Sequence, residues 1–312
     1  MQIVFALVAL VVGFVLLVKG ADWFVEGSAG IANKFGIPQI VIGLTIVAMG
    51  TSMPEAAVSI SAALRGSAEI TIGNVVGSNI MNILVILGLT AVVCQIAVQK
   101  TTIHYEIPMV IGVTILLAVM GLQNNIISRA EGVILLACMV VYMLYLLRLA
   151  KRGVVENEEM DAYAKQVSFG RLILLVVVGV AAIIFGSHVA VEAASAIARI
   201  FGISERFIGL TIVAFGTSLP ELVTSVAAAR RGNSDIAVGN IVGSNLFNIM
   251  FVVGITAVIV PVVYQPTFRV DSIVAAAVLL LVCVYRGRVL KRRHGLLMLA
   301  CYGGYFAYLL LA

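Results

Sequence analysis

Apolar residues fill this chain in long runs that short polar segments interrupt. Runs of about 20 residues are long enough to cross the hydrocarbon core of a membrane as helices. We place such runs near 2–25, 37–64, 70–97, 107–123, 130–149, 170–198, 206–229, 235–262, 271–285 and 294–311. Because lipid offers no hydrogen-bond partner to an open backbone, spans this continuous favour helices. The pattern predicts an all-α polytopic membrane protein with ten transmembrane helices.

The polar interruptions recur. Residues 41–55 read VIGLTIVAMGTSMPE and residues 207–221 read FIGLTIVAFGTSLPE, identical at 12 of 15 positions and 166 residues apart. A second peptide, GNVVGSNIMN at 73–82, recurs as GNIVGSNLFN at 239–248 with the same offset. Each half carries an odd number of predicted spans, so the second half must enter the membrane from the opposite face. We expect two inverted five-helix repeats, 1–150 and 169–312, joined by a cytoplasmic linker at 151–168; this design is typical of secondary transporters.

Composition agrees with a membrane protein, since 62% of residues are hydrophobic and only 11% are charged. The formal net charge of +5 does not predict nucleic-acid binding, because its distribution follows topology. With the N-terminus outside, the cytoplasmic loops hold most of the lysines and arginines, and the opposite side holds only Arg65, Arg129, Arg199, Arg206 and Arg269. This bias predicts that both termini are extracellular or periplasmic. We expect a monomer in the plasma (inner) membrane.

Two glutamates, Glu55 and Glu221, end the first repeated peptide between apolar flanks. A carboxylate at bilayer depth costs about 2.5–3.5 kcal/mol on insertion scales, so it marks an ion or proton path by default. Pro54 lacks an N–H and opens the preceding helical turn, which leaves carbonyl oxygens beside the hydroxyls of Thr51 and Ser52. Thr217 and Ser218 repeat this set in the second half. Such an oxygen-only environment suits hard cations, Ca²⁺ in particular.

The same residues also fit a plain helix start. Ser52-x-x-Glu55 and Ser218-x-x-Glu221 match the capping box, and we expect that geometry to be present because a second half-helix must begin there. A cap alone does not account for the presence of a glutamate between apolar flanks in both copies of the peptide.

The second repeated peptide adds neutral oxygens. Ser78 and Asn82 are four residues apart and share a helix face, as do Ser244 and Asn248. The spacing Gly-x-x-x-Gly within each copy favours close helix packing. Asn74 and Asn240 are either ligands or interhelical hydrogen-bond donors. Asp22, Glu26 and Glu192, near the ends of spans one and six, are weaker candidates that water or Lys19 could satisfy.

With these motifs in place, the chain resembles the calcium/cation antiporter superfamily, and prokaryotic sodium/calcium exchangers above all. The resemblance rests on GTS-x-PE followed by GN-x-x-GSN, present in two copies, and it extends over nearly the whole chain. Archaeal members of this family carry an aspartate at the position of Asn248. The asparagine therefore leaves two carboxylates in the central site and argues against potassium dependence.

The resemblance implies a set of ligands. Glu55 and Glu221 would bind Ca²⁺ with the backbone oxygens of Thr51 and Thr217, and Asn82 and Asn248 would line the central site. It also implies Na⁺ sites at Ser52, Ser78, Ser218 and Ser244, with the carbonyls of Ala48 and Ala214. We expect Na⁺/Ca²⁺ antiport by alternating access, electrogenic if three Na⁺ move, with no cofactor other than these transported ions.

Three alternatives remain open at this point. Protonation can also empty a carboxylate pair, which gives a proton/calcium antiporter. A cation channel would use Glu55 and Glu221 as an acidic constriction. An intramembrane enzyme would need a nucleophile, a base and an oxyanion set beside the carboxylates, and the sequence supplies none of them. We therefore expect no enzymatic activity.

Overall fold

The computed structural model describes residues 2–151, 167–202, 214–265, 268, 270–271, 273–275 and 288–311. The first half contains α1 (Gln2–Lys34), α2 (Gln39–Ile42), π-helical segment π1 (Gly43–Val47), α3 (Ala48–Thr51), α4 (Met53–Leu64), α5 (Glu69–Met81), π2 (Asn82–Ile86), α6 (Leu87–Val93), β1 (Ile96–Ala97), π3 (Thr102–Glu106), α7 (Ile107–Asn124), β2 (Ile126–Ile127) and α8 (Arg129–Ala150). The second half contains α9 (Phe169–Ile200), α10 (Ala214–Thr217), α11 (Leu219–Arg230), α12 (Ser234–Phe247), π4 (Asn248–Val253), α13 (Gly254–Ile259), β3 (Val262–Val263), β4 (Val289–Leu290) and α14 (Arg292–Leu311).

Within these ranges, six helices are long and apolar enough to span a membrane, and the bent pair 39–51 and 53–64 would make a seventh. The protein is thus a largely helical, multi-span membrane protein. The predicted spans near 206–229 and 271–285 lie partly outside the described residues, as does most of the linker 151–168. Ten spans therefore stay a prediction, although α14 occupies the place expected for the last one.

Burial separates central spans from peripheral ones. In the spans formed by α5–π2–α6 and α12–π4–α13, 83% of the most apolar stretch is buried, against 22% in α1 and α8. The peripheral helices present large apolar side chains outward, such as Phe5 of α1 and Val141 of α8. A surface of this kind suits lipid rather than water. The two central spans carry the GN-x-x-GSN motifs, so the motifs lie in the interior of the bundle.

Helices α1 and α9 run antiparallel and in close contact along their length. A Cβ atom on Gly20 would lie 2.9 Å from the carbonyl oxygen of Gly179, and one on Gly186 would lie 2.8 Å from the carbonyl oxygen of Gly13. Small residues let two backbones approach this closely in a membrane. Because α1 and α9 occupy equivalent positions in the duplicated sequence, their opposite directions are those that an inverted repeat requires.

Two short strand pairs also connect the halves. Strand β1 pairs antiparallel with β4, with Ile96 opposite Leu290. Strand β2 pairs antiparallel with β3, with Ile127 opposite Val262. Each pair joins one strand from the first half to one from the second, so the two halves are hydrogen-bonded to each other at both places.

The close α1–α9 contact yields a test of packing. A Cβ on Gly179 would lie 2.6 Å from the backbone nitrogen of Phe24, whereas one on Gly170 in the same helix meets no atom within 4 Å. Alanine in a helix is favoured over glycine by about 1 kcal/mol, so Gly170→Ala should be neutral or stabilising. We expect Gly179→Ala to destabilise by about 1–3 kcal/mol, because the backbones must separate. Thermal unfolding of both variants in detergent measures the difference; equal melting temperatures would contradict the close packing.

Candidate functional site

Each repeated GTS-x-PE motif is a break between two short helices. Ser52 separates α3 from α4, and its backbone angles, φ −85° and ψ 7°, leave the helical range. The two segments are bent by 45°. Ser218 separates α10 from α11 with nearly the same angles, φ −91° and ψ 2°. Pro54 and Pro220 follow in the first turn of the next helix, where a missing N–H removes no helical hydrogen bond.

The capping box expected at these serines is wrong. Neither Ser52 nor Ser218 makes a side-chain capping bond to its own helix. Ser52 Oγ instead donates to Glu221 Oε1 at 2.8 Å, and Ser218 Oγ donates to Glu55 Oε1 at 3.3 Å. Each serine therefore donates its hydrogen bond to the carboxylate of the opposite half.

This exchange brings the two carboxylates into one buried site. Glu55 and Glu221 are both 1% exposed and close enough to interact electrostatically. In an interior of low dielectric, two like charges at close range favour the entry of a cation. The structure thus brings together the two acids that the sequence singled out.

Several of the other predicted residues surround Glu221. Ser244 Oγ lies 3.5 Å from Glu221 Oε1 and 3.5 Å from the carbonyl oxygen of Ala48. Thr51 Oγ1 lies 3.0 Å from Asn240 Oδ1 and 3.3 Å from the same Ala48 oxygen. Helix α12, which carries Ser244, thereby meets the broken helix of the first half at its bend.

The pseudo-equivalent residues of the other half are less completely described. Ser78 is buried on α5 at 6% exposure. Thr217 is half-buried at the end of α10, and Ala214 begins that helix. The surroundings of the Ala214 side chain lie outside the described part.

Asn74 and Asn240 prove to be interhelical donors. Asn74 Nδ2 donates to the carbonyl oxygen of Glu55 at 3.2 Å and to Ser59 Oγ at 2.9 Å. The second half repeats both bonds at 3.3 and 2.9 Å, with Asn240, Glu221 and Ser225. These bonds hold the backbone of each glutamate against the neighbouring central span.

Four asparagines form a network between the halves. Asn82 Nδ2 donates to Asn245 Oδ1 at 2.9 Å, and Asn248 Nδ2 donates to Asn79 Oδ1 at 3.2 Å. Asn79 and Asn245 also donate their Nδ2 to the backbone carbonyl of each other, at 3.2 and 3.4 Å. The sequence reasoning missed Asn79 and Asn245 as site residues. Their signal was present, since both copies of the motif keep an asparagine three residues before Asn82 or Asn248.

The backbone widens where this network begins. Segment π2 starts at Asn82 and segment π4 starts at Asn248. A π-helical turn shifts the carbonyl pattern by one residue and occurs frequently at functional sites. Segment π2 contacts α11, which carries Glu221, and π4 contacts α4, which carries Glu55. The equivalent position in both halves is thus the start of an irregular turn packed against the helix that carries the glutamate of the opposite half.

Four buried oxygens of this site lack a hydrogen-bond partner among the described residues: Glu55 Oε2, Glu221 Oε2, Asn82 Oδ1 and Asn248 Oδ1. Leaving a buried acceptor unsatisfied costs about 1–3 kcal/mol, and more for a charged group. Two carboxylate and two amide oxygens are ligands that a hard cation prefers. No group of three or more His, Cys, Asp or Glu side chains arranged for metal binding occurs in the described ranges. The chemistry of the site is therefore two carboxylates supplemented by neutral oxygens.

The two halves differ in how far their broken helices are covered. Met53 of α4 is 50% exposed, whereas its pseudo-equivalent Leu219 of α11 is 8% exposed. Val58 is 41% exposed and Thr224, at the matching position, is fully buried. Helix α1 packs along α11. The matching pair, α9 and α4, makes no comparable contact, and both of these helices lie wholly within the described ranges.

A cluster of ion pairs connects the covered helix α11 to α1. Arg231, directly after α11, lies 3.4 Å from Asp22 Oδ1 and 3.4 Å from Glu26 Oε2 on α1. Arg231 is thus a partner of these two acids that the sequence analysis did not name beside water and Lys19. Asp22 and Glu26 hold the end of α11 rather than entering the carboxylate site.

Comparisons with known proteins agree with this geometry. The family model described as sodium/calcium exchanger protein matches residues 5–148 and again residues 171–311. The inner membrane protein YrbG of Escherichia coli is 38% identical over 260 residues, covering 81% of this chain and 79% of that protein. The sodium/calcium exchanger MaX1 of Methanosarcina acetivorans is 31% identical over 337 residues, covering 94% of this chain and 95% of that protein. A solved structure of the sodium-calcium exchanger NCX_Mj soaked with Na⁺ and Sr²⁺ superposes with a TM-score of 0.85 at 33% identity, and 97% of each chain is covered.

Proposed function

The chain belongs to the sodium/calcium exchanger protein family, and on that premise we propose that it exchanges Na⁺ for Ca²⁺ across the membrane by alternating access. The observation that carries the proposal is the pair of buried carboxylates, each bound by a serine of the opposite half. One oxygen of each carboxylate has no hydrogen-bond partner within the described ranges. A site built from both halves can hold an ion between them and release it when the halves move.

The proposed ligands are those that the family resemblance implies, and the contacts around Glu221 support part of the set. Ca²⁺ binds Glu55 and Glu221 together with the backbone oxygens of Thr51 and Thr217, and Asn82 and Asn248 complete the central site. Na⁺ ions occupy positions beside the same carboxylates, with Ser52, Ser78, Ser218, Ser244 and the carbonyls of Ala48 and Ala214. The closeness of Ser244 Oγ to Glu221 and to the Ala48 carbonyl supports shared ligands. Shared ligands make the two ions compete, which couples their transport.

Charge balance gives the electrical consequence. Two carboxylates neutralise one Ca²⁺, so the calcium-loaded site carries no net charge. Three Na⁺ on the same carboxylates leave one positive charge, and moving it across the membrane is worth about 2.3 kcal/mol per 100 mV. Exchange at that stoichiometry is electrogenic.

Alternating access rests on two inverted halves with unequal closure. The antiparallel run of α1 against α9 supports repeats of opposite orientation, 1–150 and 169–312, joined by the linker 151–168. The exposed α4 and covered α11 support a state open on one side only. In the proposed cycle, α1 and α9 move together, so that α4 becomes covered and α11 uncovered. The positive-inside bias places both termini outside, and we propose a monomer in the plasma (inner) membrane.

We expect replacement of either site carboxylate to abolish most exchange. Glu55→Gln and Glu221→Gln each remove one of the two charges that pair with the bound Ca²⁺, and loss of one partner from a buried charge pair costs about 2–5 kcal/mol. Calcium uptake should therefore fall by roughly 30-fold or more. Radiolabelled Ca²⁺ uptake into proteoliposomes under an outward Na⁺ gradient measures it. Glu131→Gln is the matched control, because Glu131 belongs to the capping box of α8, which also accepts glutamine. Undiminished transport by either site variant would remove that residue from the site.

The same vesicles separate sodium coupling from proton coupling and from a channel. With choline inside in place of Na⁺, uptake should fall to background even under an outward proton gradient. Equal uptake under the proton gradient would replace Na⁺ by H⁺ as the counter-ion. Calcium conductance in a planar bilayer without any counter-transport would indicate a channel instead.

The unequal closure predicts one-sided labelling. In a background without the four native cysteines, Met53→Cys should react with a membrane-impermeant maleimide, and Leu219→Cys should be protected. Arg231→Gln removes two partly exposed ion pairs, each worth up to about 1 kcal/mol. We expect it to increase the labelling of Leu219→Cys by roughly two- to fivefold, whereas Arg230→Gln, one residue away, should not. A Met53→Cys that never reacts would mean that α4 faces lipid rather than an aqueous opening.

A further inference from the structure

The hydrogen bonds of the four-asparagine network fix the orientation of each side-chain amide, and the transport cycle proposed above does not use that orientation. We propose that Asn79 and Asn245 are positioning residues, which turn the amide oxygens of Asn82 and Asn248 toward the cation site. This inference rests on the proposed function, because it assigns these two oxygens to the transported ion.

The amides of Asn79 and Asn245 are oriented by backbone carbonyls, which can only accept hydrogen bonds. Asn79 Nδ2 donates to the carbonyl of Asn245 at 3.2 Å, and Asn245 Nδ2 donates to the carbonyl of Asn79 at 3.4 Å. A flipped amide would place an oxygen against each carbonyl oxygen. The orientation of both amides is therefore fixed by the main chain, and their Oδ1 atoms must point the other way.

The amides of Asn79 and Asn245 in turn orient those of Asn248 and Asn82 in the opposite half. Asn79 Oδ1 accepts from Asn248 Nδ2 at 3.2 Å, and Asn245 Oδ1 accepts from Asn82 Nδ2 at 2.9 Å. Because an amide oxygen needs a donor, Asn82 and Asn248 must present nitrogen to this network. Their oxygens are left over, and both are buried without a partner among the described residues.

The consequence concerns the cation directly. An amide carries two donors on one side and an acceptor on the other, so a flip of Asn82 or Asn248 would turn N–H groups toward a positive ion. All four asparagines are at most 3% exposed, which excludes bulk water as a substitute partner. The network thus selects the amide face that binds a cation, and it does so identically for each half.

A double-mutant cycle separates positioning from a purely structural role, because only residues that act through one another are non-additive. We measure the Ca²⁺ concentration for half-maximal uptake in proteoliposomes for Asn79→Ala, Asn248→Ala and the double variant. Asn79→Ala should raise that concentration about tenfold, since it releases the Asn248 amide. In the double variant the further rise over Asn248→Ala should be at most about twofold. Asn79 and Asn82 share no hydrogen bond, so their double variant should come nearer to the product of the two single effects.

The pseudo-equivalent cycle with Asn245→Ala and Asn82→Ala repeats the test independently. Asn79→Ser replaces Asn79→Ala if the latter yields no folded protein. A lower melting temperature with an unchanged half-maximal Ca²⁺ concentration, or independent effects in both cycles, would overturn the proposal. If Asn248→Ala weakens Ca²⁺ binding and Asn79→Ala does not, positioning fails while the exchange function stands. A wild-type protein that binds no Ca²⁺ would instead overturn the exchange function.

Discussion

A buried carboxylate must be compensated, and in this protein part of the compensation comes from the other half of the chain. Ser52 donates to Glu221, and Ser218 donates to Glu55. The desolvation of each charge is costly, and the serine of the opposite half offsets part of that cost. Bonds within each half, such as those from Asn74 to Glu55 and from Asn240 to Glu221, hold the backbone of each glutamate. The need for compensation explains why the helices break at these serines and why the breaks face each other. The proposed ion site and the contact between the two halves are thus built from the same residues.

Close packing makes that union possible. Helix α12 meets the broken helix of the first half through Gly243, whose Cβ would lie only 2.7 Å from the Cβ of Ala48. A larger residue would push α12 away, and Ser244 would then lose its reach to Glu221 and to the Ala48 carbonyl. The Gly-x-x-x-Gly spacing, which the sequence analysis interpreted as a packing signal, therefore also sets the distances between the proposed ligands. Helix packing and the geometry of the proposed site depend on the same glycine.

Much of the site could be predicted from the sequence because the duplication repeats it. A single glutamate between apolar flanks is unusual, and its recurrence in the second half indicates a site built from both copies. The repeated GSN-containing motif supplied the predicted neutral oxygens. What local patterns could not give were partners distant along the chain. The Ser52-x-x-Glu55 spacing indicated a cap, in which the serine oxygen accepts from a backbone N–H, yet Ser52 Oγ instead donates to a carboxylate 169 residues away. Asn79, Asn245 and Arg231 were missed or misassigned for the same reason, since their partners lie in the opposite half.

The duplication also separates what is symmetric from what is not. The bonds of Asn74 and Asn240, and those of the four-asparagine network, are the same in both halves. Coverage of the broken helices differs, because α1 lies along α11 while α9 does not lie along α4 in the same way. Asymmetry is thus pronounced around the peripheral α1–α9 pair, whereas the bonds of Asn74 and Asn240 and those of the four-asparagine network are shared by both halves. If exchanging the two arrangements of that pair opens the other side, the central ligands can stay nearly fixed. An exchanger built in this way changes the side to which its site opens without first dismantling the site.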